Sequence, residues 1–310
     1  MKTIVECVPN FSEGRKPEVI ARLIEAVEDG REARVAVLGA HADPDHHRAV
    51  ITFAGEPEAM IDAAVEVAAR ARELIDLRAH RGVHPRLGAI DVMPFVPVSG
   101  LTMDECVNLA HRAGARIANE LNLPVYFYER AALRPDRRRL ESVRRGGFEQ
   151  LREEVGVAAE SAPDLGPPRL HESAGAVIVG ARPFLIAYNV NLRTNDVDAA
   201  RRIAGRVRAR DGGLPDLKAL GLFLATRELA QVSMNLINYE VTSMEQAYQA
   251  VEREAQNLGV EIESSEIVGL VPRAALPPDA AARLKIENFS PNLILEDRMN
   301  KIFMIKNRLP

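Results

Sequence analysis

Ala162-Pro163-Asp164-Leu165-Gly166-Pro167-Pro168 divides the chain, and its reading decides the fold. Prolines and a glycine this dense cannot continue a helix or sit inside a β-ladder, so the surrounding stretch 156–174 reads as a linker or a binding loop. Working back from it, Thr3–Val8 is a short run rich in β-branched residues and reads as a strand. Pro17 opens a helix whose Val19, Ile20, Leu23, Ile24 and Val27 recur at helical spacing, and Gly30 marks its stop. Arg34–Leu38 and Val50–Ala54 read as strands around a polar loop, His41–Arg48. Pro57 opens a second helix with Met60, Ile61, Ala64, Val65 and Ala68 as its stripe, and Ala89–Val96 follows as a strand. Thr102 with Glu105 signals a capping box for a third helix, Pro124–Tyr128 a strand, and Arg144–Val155 a further helix.

Beyond the junction the pattern restarts. Phe184–Leu192 reads as a strand, Asn195 as a cap over a helix Val197–Ala209, and Ala219–Leu224 and Gln231–Ile237 as strands. Thr242 with Glu245 signals another capped helix, to Leu258, and Glu266–Val271 closes as a strand. Each half therefore begins β-α-β-β-α-β. The expected class is α+β, with two ferredoxin-like-patterned subdomains at 1–178 and 179–310. No residue-level repeat links the halves.

Composition narrows the function. At 310 residues and 47% hydrophobic, the chain can bury a core without staples and is not disordered. Its 44 acids against 40 bases leave a net charge of −4, which argues against a protein that coats nucleic acid. It lacks the run of about 18 apolar residues that a membrane-spanning helix needs. The apolar run near Met1 is too short for a signal peptide, so no leader is expected. Two cysteines, Cys7 and Cys106, fit a reducing cytoplasm. No GxGxxG, P-loop, HExxH, GxSxG or paired CxxC occurs, which removes the simplest dinucleotide, NTP, metalloprotease and hydrolase readings.

Three segments hold chemistry. His80-Arg81-Gly82-Val83-His84-Pro85-Arg86-Leu87-Gly88 joins a helix to a strand. Pro85 restrains the backbone of His84, whose imidazole can take and return a proton near neutrality. The plainer reading is a solvated helix C-terminus. His41-Ala42-Asp43-Pro44-Asp45-His46-His47-Arg48 is either a metal-binding loop or a polar turn, and the turn is favoured because no zinc spacing matches. Glu6–Arg15 ends a strand in a Pro/Asn/Ser/Gly loop, a ligand position or a simple helix cap, with Cys7 an inert buried thiol. Arg137-Arg138-Arg139 with Arg144 and Arg145 is a basic cluster, suited to a polyanion or to plain solvation.

Together Glu6–Gly14, His84-Pro85-Arg86-Leu87-Gly88-Ala89, Pro124–Tyr128, Phe184–Leu192, Ala230-Gln231-Val232-Ser233-Met234-Asn235 and Ile267–Pro272 resemble the glutamate formimidoyltransferase family. The resemblance runs in order over nearly the whole chain. It implies transfer of a formimino group from N-formimino-L-glutamate to tetrahydrofolate in histidine degradation. A related one-carbon transferase with another donor, such as N-formylglutamate, is the alternative. It further implies a ligand cleft between the two subdomains, His84 as the proton-transferring group, and a folate loop of Gly166, Pro167, Pro168, Arg169, Leu170, His171, Glu172, Ser173, Ala174 and Gly175. Arg48, Arg86 and Arg193 become candidates for substrate carboxylates, and Asn10, Asp43, Asn189 and Asn191 further supporting residues. Where the family carries an acid able to orient the imidazole, this chain has His41, and Asp43 and Asp45 are the nearby acids. Tetrahydrofolate is expected as co-substrate, with no metal, no nucleic acid and no membrane, in a cytoplasmic homodimer. Bifunctional relatives add a cyclodeaminase domain, which a chain ending at 310 is not expected to carry.

Overall fold

The computed structural model describes residues 3–31, 34–44, 46–81 and 85–306, with side chains through Asn300. The chain forms two units, one of residues 1–182 with the stretch from Ile302 onward, the other of residues 183–301. Both mix helices with a sheet, as an α+β chain should.

The first unit runs β1 (Ile4–Cys7), β2 (Asn10–Phe11), α1 (Pro17–Glu28), β3 (Val35–Asp43), β4 (Arg48–Gly55), α2 (Pro57–Leu74), β5 (Ile90–Ser99), α3 (Met103–Leu121), β6 (Val125–Glu129), α4 (Leu140–Val143), α5 (Gly147–Glu154) and β7 (Val177–Ala181). Among the described residues these strands form one seven-stranded sheet. β1 and β2 are one interrupted central strand, antiparallel to β4 on one side and β5 on the other. β3 forms an edge on β4, and β7 joins β5 to β6 in parallel. Period-two alternation explains why both faces are covered. Phe95, Phe127, Val177 and Val179 pack with α2 and α3, while Val92, Tyr126, Tyr128 and Ile178 meet Leu151 of α5 on the other face.

Several expectations shift. β7 was not foreseen, and the boundary expected at 178/179 falls inside it; the unit ends at 182, where the strand is complete. Half of the loop expected at His41–Arg48 is strand. β3 continues to Asp43 and β4 starts at Arg48; Pro44, His46 and His47 between them are turn residues, and His47 has φ +51°. An exposed edge strand carries polar residues freely, so hydrophobic patterning does not show it. The helix expected at Arg144–Val155 is broken where Gly146 and Gly147 take positive φ. The Thr102–Glu105 capping box is present. Gly114 inside α3 has a packing reason: a Cβ there would lie 2.6 Å from the Phe127 ring.

The second unit runs β8 (Ile186–Leu192), α6 (Val197–Val207), β9 (Leu217–Leu224), β10 (Leu229–Leu236), α7 (Met244–Asn257) and β11 (Ile262–Val268). Its sheet order is β11-β8-β10-β9, antiparallel throughout. Tyr188, Val190, Val232 and Met234 pack with Ile203 of α6 and Val251 of α7. The caps lie one residue beyond those expected. Asp196, not Asn195, accepts the amides of Asp198 and Ala199, and Ser243 with Gln246, not Thr242 with Glu245, forms the second box. Thr242 instead donates to the Pro215 carbonyl at 2.5 Å. Among the described residues no helix is long and apolar enough to cross a membrane.

Candidate active site

The segments singled out in the first half converge. Ser12 donates its hydroxyl to the Gly88 carbonyl at 2.7 Å and its amide to Ala89 at 3.0 Å. Glu13 accepts from the amides of Arg15 (2.8 Å) and Lys16 (3.1 Å) and lies 3.1 Å from His47 Nε2. His47 Nδ1 reaches the Arg81 carbonyl at 3.0 Å, and His80 Nε2 returns to the His47 carbonyl at 2.9 Å. The two imidazoles stack with centroids 4.2 Å apart and planes 12° from parallel. The turn after β3 and the loop before β5 are thus pinned to each other through both rings. Burial would raise the Glu13 carboxyl, but the two amides and His47 outweigh it and hold it below its ordinary range.

The proposed folate loop is fastened to the same place. Leu77 donates to the Ser173 carbonyl (2.8 Å), Ala89 to Ala174 (2.9 Å) and Ala176 to Leu87 (3.1 Å). Arg78 pairs with Glu172 at 2.8 Å. Within the loop, His171 and Gly175 exchange two backbone bonds, and the Ala174 amide donates to His171 Nδ1. Residues 172–176 therefore form one framework with Leu77, Arg78 and Leu87–Ala89 in the first unit. His84 and Asp45 lie outside the described residues.

Two openings sit here. A small pocket of about 10 Å³ is lined by Phe11, Ser12, His46, His47, Arg48, His80, Arg86 and Asp91. Beside it a groove of about 420 Å³ is lined by Leu77, Arg78, His80, Arg81, Arg86, Phe148, Glu149 and Arg152. The groove is of ligand size. His80 and Arg86 line both. Positive charge dominates: burial, with the neighbouring charge of Arg144, pushes the Arg48 guanidinium down to about 10 against the pull of Asp91 and Asp43. Asp91 pairs with Arg144 and accepts the Leu87 amide, which shapes the loop. Arg86 pairs with Glu149 at 2.8 Å, and its buried Nε has no hydrogen-bond partner among the described residues. Such a set suits an anionic ligand.

Other expected residues are engaged elsewhere. Asn10 donates to the Val8 carbonyl and braces the break between β1 and β2. Asp43 accepts from the His46 amide (2.9 Å) and ring (2.5 Å), so its described imidazole partner is His46. His41 is exposed on β3. Arg137 is only 4% exposed, pairs with Asp164 at 2.6 Å and lies over the Tyr126 ring, so it is a structural cation rather than a polyanion contact. In the second unit Asn189 donates to Glu266, and Asn191 donates to Ser264 and accepts from Gln231. Arg193 is 61% exposed and already pairs with Glu261 and Glu263. Among the described residues no three His, Cys, Asp or Glu side chains gather to hold a metal ion. In the sequence His47 and His80 stand in two separate segments, with nothing to mark them as a stacked pair. Their separation of 33 positions leaves no local signal, and only the fold brings them together.

Glu6 is 1% exposed, and burial, opposed by Arg182, pushes its carboxyl up to about 7 from 4.5. An unfolded chain releases this proton near 4.5 while the folded chain keeps it to about 7. Its contribution to stability is then fully present below 4.5 and is lost as pH rises through about 7. Glu6→Gln cannot ionise, so its melting temperature should gain on the parent's between about pH 5 and pH 8. A difference that stays constant across that range would contradict the shift.

A family model described as "Formiminotransferase domain, N-terminal subdomain" matches residues 4–182, and one described as "Formiminotransferase domain" matches 187–309. The chain is 46% identical to a glutamate formimidoyltransferase of Thermoplasma acidophilum, over 96% of this chain and 98% of that one. It is 40% identical to a glutamate formimidoyltransferase of Streptococcus pyogenes serotype M1, over 93% and 96%. It is 42% identical to a formimidoyltransferase-cyclodeaminase of Rattus norvegicus across its whole length, which spans 57% of that protein.

Proposed function

This chain belongs to the formiminotransferase family, and from that premise we infer that it transfers the formimino group of N-formimino-L-glutamate to tetrahydrofolate. The products are 5-formiminotetrahydrofolate and L-glutamate, a step of histidine degradation. The observation that carries this reading here is the groove beside His80 and Arg86, lined by four arginines. Both substrates bring carboxylates, and guanidiniums bind carboxylates with directed, charge-assisted bonds.

The chemistry needs little else. The N5 amine of tetrahydrofolate attacks the formimino carbon and gives a tetrahedral intermediate. The amine proton leaves, the departing glutamate nitrogen gains one, and the C–N bond to glutamate breaks. One imidazole can serve both transfers in turn. We assign that role to His84, which shares its loop with His80 and Arg86. Residues 166–175 are assigned to folate, a reading supported by the bonds of Ser173, Ala174 and Ala176 to Leu77, Ala89 and Leu87. Asn189, Asn191 and Arg193 are kept as supporting residues from the second unit. Each unit reads as ferredoxin-like; the strand order β11-β8-β10-β9 supports this for the second. Tetrahydrofolate acts as co-substrate without a metal, and the working form is a cytoplasmic homodimer.

The decisive experiment is formation of 5-formiminotetrahydrofolate from N-formiminoglutamate and tetrahydrofolate by the purified protein. Turnover with N-formylglutamate alone would move the reading to the other donor. Turnover with neither would overturn it.

A further inference from the structure

His80 is 4% exposed and lines both the small pocket and the groove. Its Nε2 faces a carbonyl oxygen, that of His47, at 2.9 Å. A carbonyl only accepts, so Nε2 is assigned the proton. Burial holds the imidazole below its ordinary range and keeps the ring neutral near physiological pH. Nδ1 then carries a lone pair. It is buried and has no hydrogen-bond partner among the described residues. An acceptor held this way is costly unless a ligand supplies a donor. The ring is also fixed in direction, stacked on His47, which is itself bonded to Glu13 and to the Arg81 carbonyl. Beside it the Arg86 Nε is a buried donor lacking a partner among the described residues. One acceptor and one donor thus lack partners among the described residues, on two side chains that line the same two openings.

We propose that His80 Nδ1 accepts a hydrogen bond from the terminal N–H of the donor's formimino group and so selects formimino over formyl donors. The proposal rests on the functional reading above and adds the residue that discriminates the donor. A formimino group ends in nitrogen and can donate. A formyl group ends in a carbonyl oxygen, which offers Nδ1 only a second lone pair. Sites that leave a buried polar group unpaired reject the analogue more strongly than apolar pockets do. Arg86 Nε, next to this acceptor, suits a carboxylate oxygen of the same donor.

The test compares the wild-type enzyme with His80→Asn. It measures kcat/KM for N-formiminoglutamate with tetrahydrofolate, and the inhibition constant of N-formyl-L-glutamate in the same assay. The variant should lose about tenfold or more in kcat/KM for the formimino donor. Inhibition by the formyl compound should change by less than about twofold or strengthen, because an amide at this position can turn its NH₂ toward an oxygen. A parallel loss for both compounds, as a merely structural role gives, overturns the proposal, and so does no loss for either. If the variant does not fold, ¹⁵N-histidine spectra of the wild-type protein decide. The His80 Nδ1 resonance should move on adding N-formiminoglutamate and stay in place with N-formylglutamate. A resonance unmoved by N-formiminoglutamate overturns the proposal. Wild-type protein that transfers no formimino group overturns the functional reading instead, and the spectra report the hydrogen bond independently of it.

Discussion

His84→Ala is expected to lower formimino transfer by about 10²-fold or more, the loss that follows removal of a general acid–base group. That factor corresponds to about 2.7 kcal/mol of transition-state stabilisation. The fall should appear in kcat with KM little changed. Substrate carboxylates are assigned to the arginines of the groove, and those remain in the variant. Cooperative unfolding should be retained, since the neighbouring framework is held by other groups. Asp91 bonds the Leu87 amide, Ser12 the Gly88 carbonyl, and Phe148 the Arg86 carbonyl. Steady-state kinetics at saturating tetrahydrofolate, alongside a thermal melt, check both halves. Full activity in the variant would remove His84 from the mechanism. A rise in KM alone would make it a binding residue.

The element order of both halves is legible because each strand or helix carries its own period, as in Val19–Val27 or Ile186–Leu192. Legibility fails where solvent or a partner strand overrides the pattern. His41 and Ala42 look like loop because β3 is an edge strand with exposed side chains there. Val177–Ala181 is a short apolar run buried on both faces, whose partners β5 and β6 lie far back in the chain. In the site, the segments that hold chemistry are visible as dense clusters of His, Arg and Gly. What each side chain does there is not. Arg137 and Arg86 look alike in sequence, yet one pairs with the buried side chain of Asp164, while the other pairs with the exposed Glu149 and lines both openings. The difference is set by partners 27 and 63 positions away, a non-local property that composition does not encode.

Gly88→Ala tests whether the two loops act as one framework, and it should be the most damaging small substitution in this region. Gly88 bridges Gly175 in antiparallel fashion, flanked by the bonds Ala89 to Ala174 and Ala176 to Leu87. A Cβ at Gly88 would lie 1.8 Å from the Ala176 carbonyl oxygen and 2.7 Å from that of Ile90. Both obstacles are backbone, so neither can rotate away. Overpacking of this kind costs about 1–3 kcal/mol, and each bridging bond lost adds about 1 kcal/mol. A destabilisation of about 3 kcal/mol or more is expected. At about 2–4 °C per kcal/mol for a unit of this size, the melting temperature should fall by roughly 6–12 °C. Gly39→Ala on β3 is the control, because a Cβ there meets nothing within 4 Å. Its effect should be neutral or stabilising by less than about 1 kcal/mol. Activity should follow the same split. Displacing residue 88 drags the His80–Arg86 segment away from the loop 166–175, so Gly88→Ala should lose turnover at temperatures where it is still folded, while Gly39→Ala keeps it. Equal melting temperatures and equal turnover for the two variants would show that the close approach of residues 88 and 175 supports neither the fold nor the site.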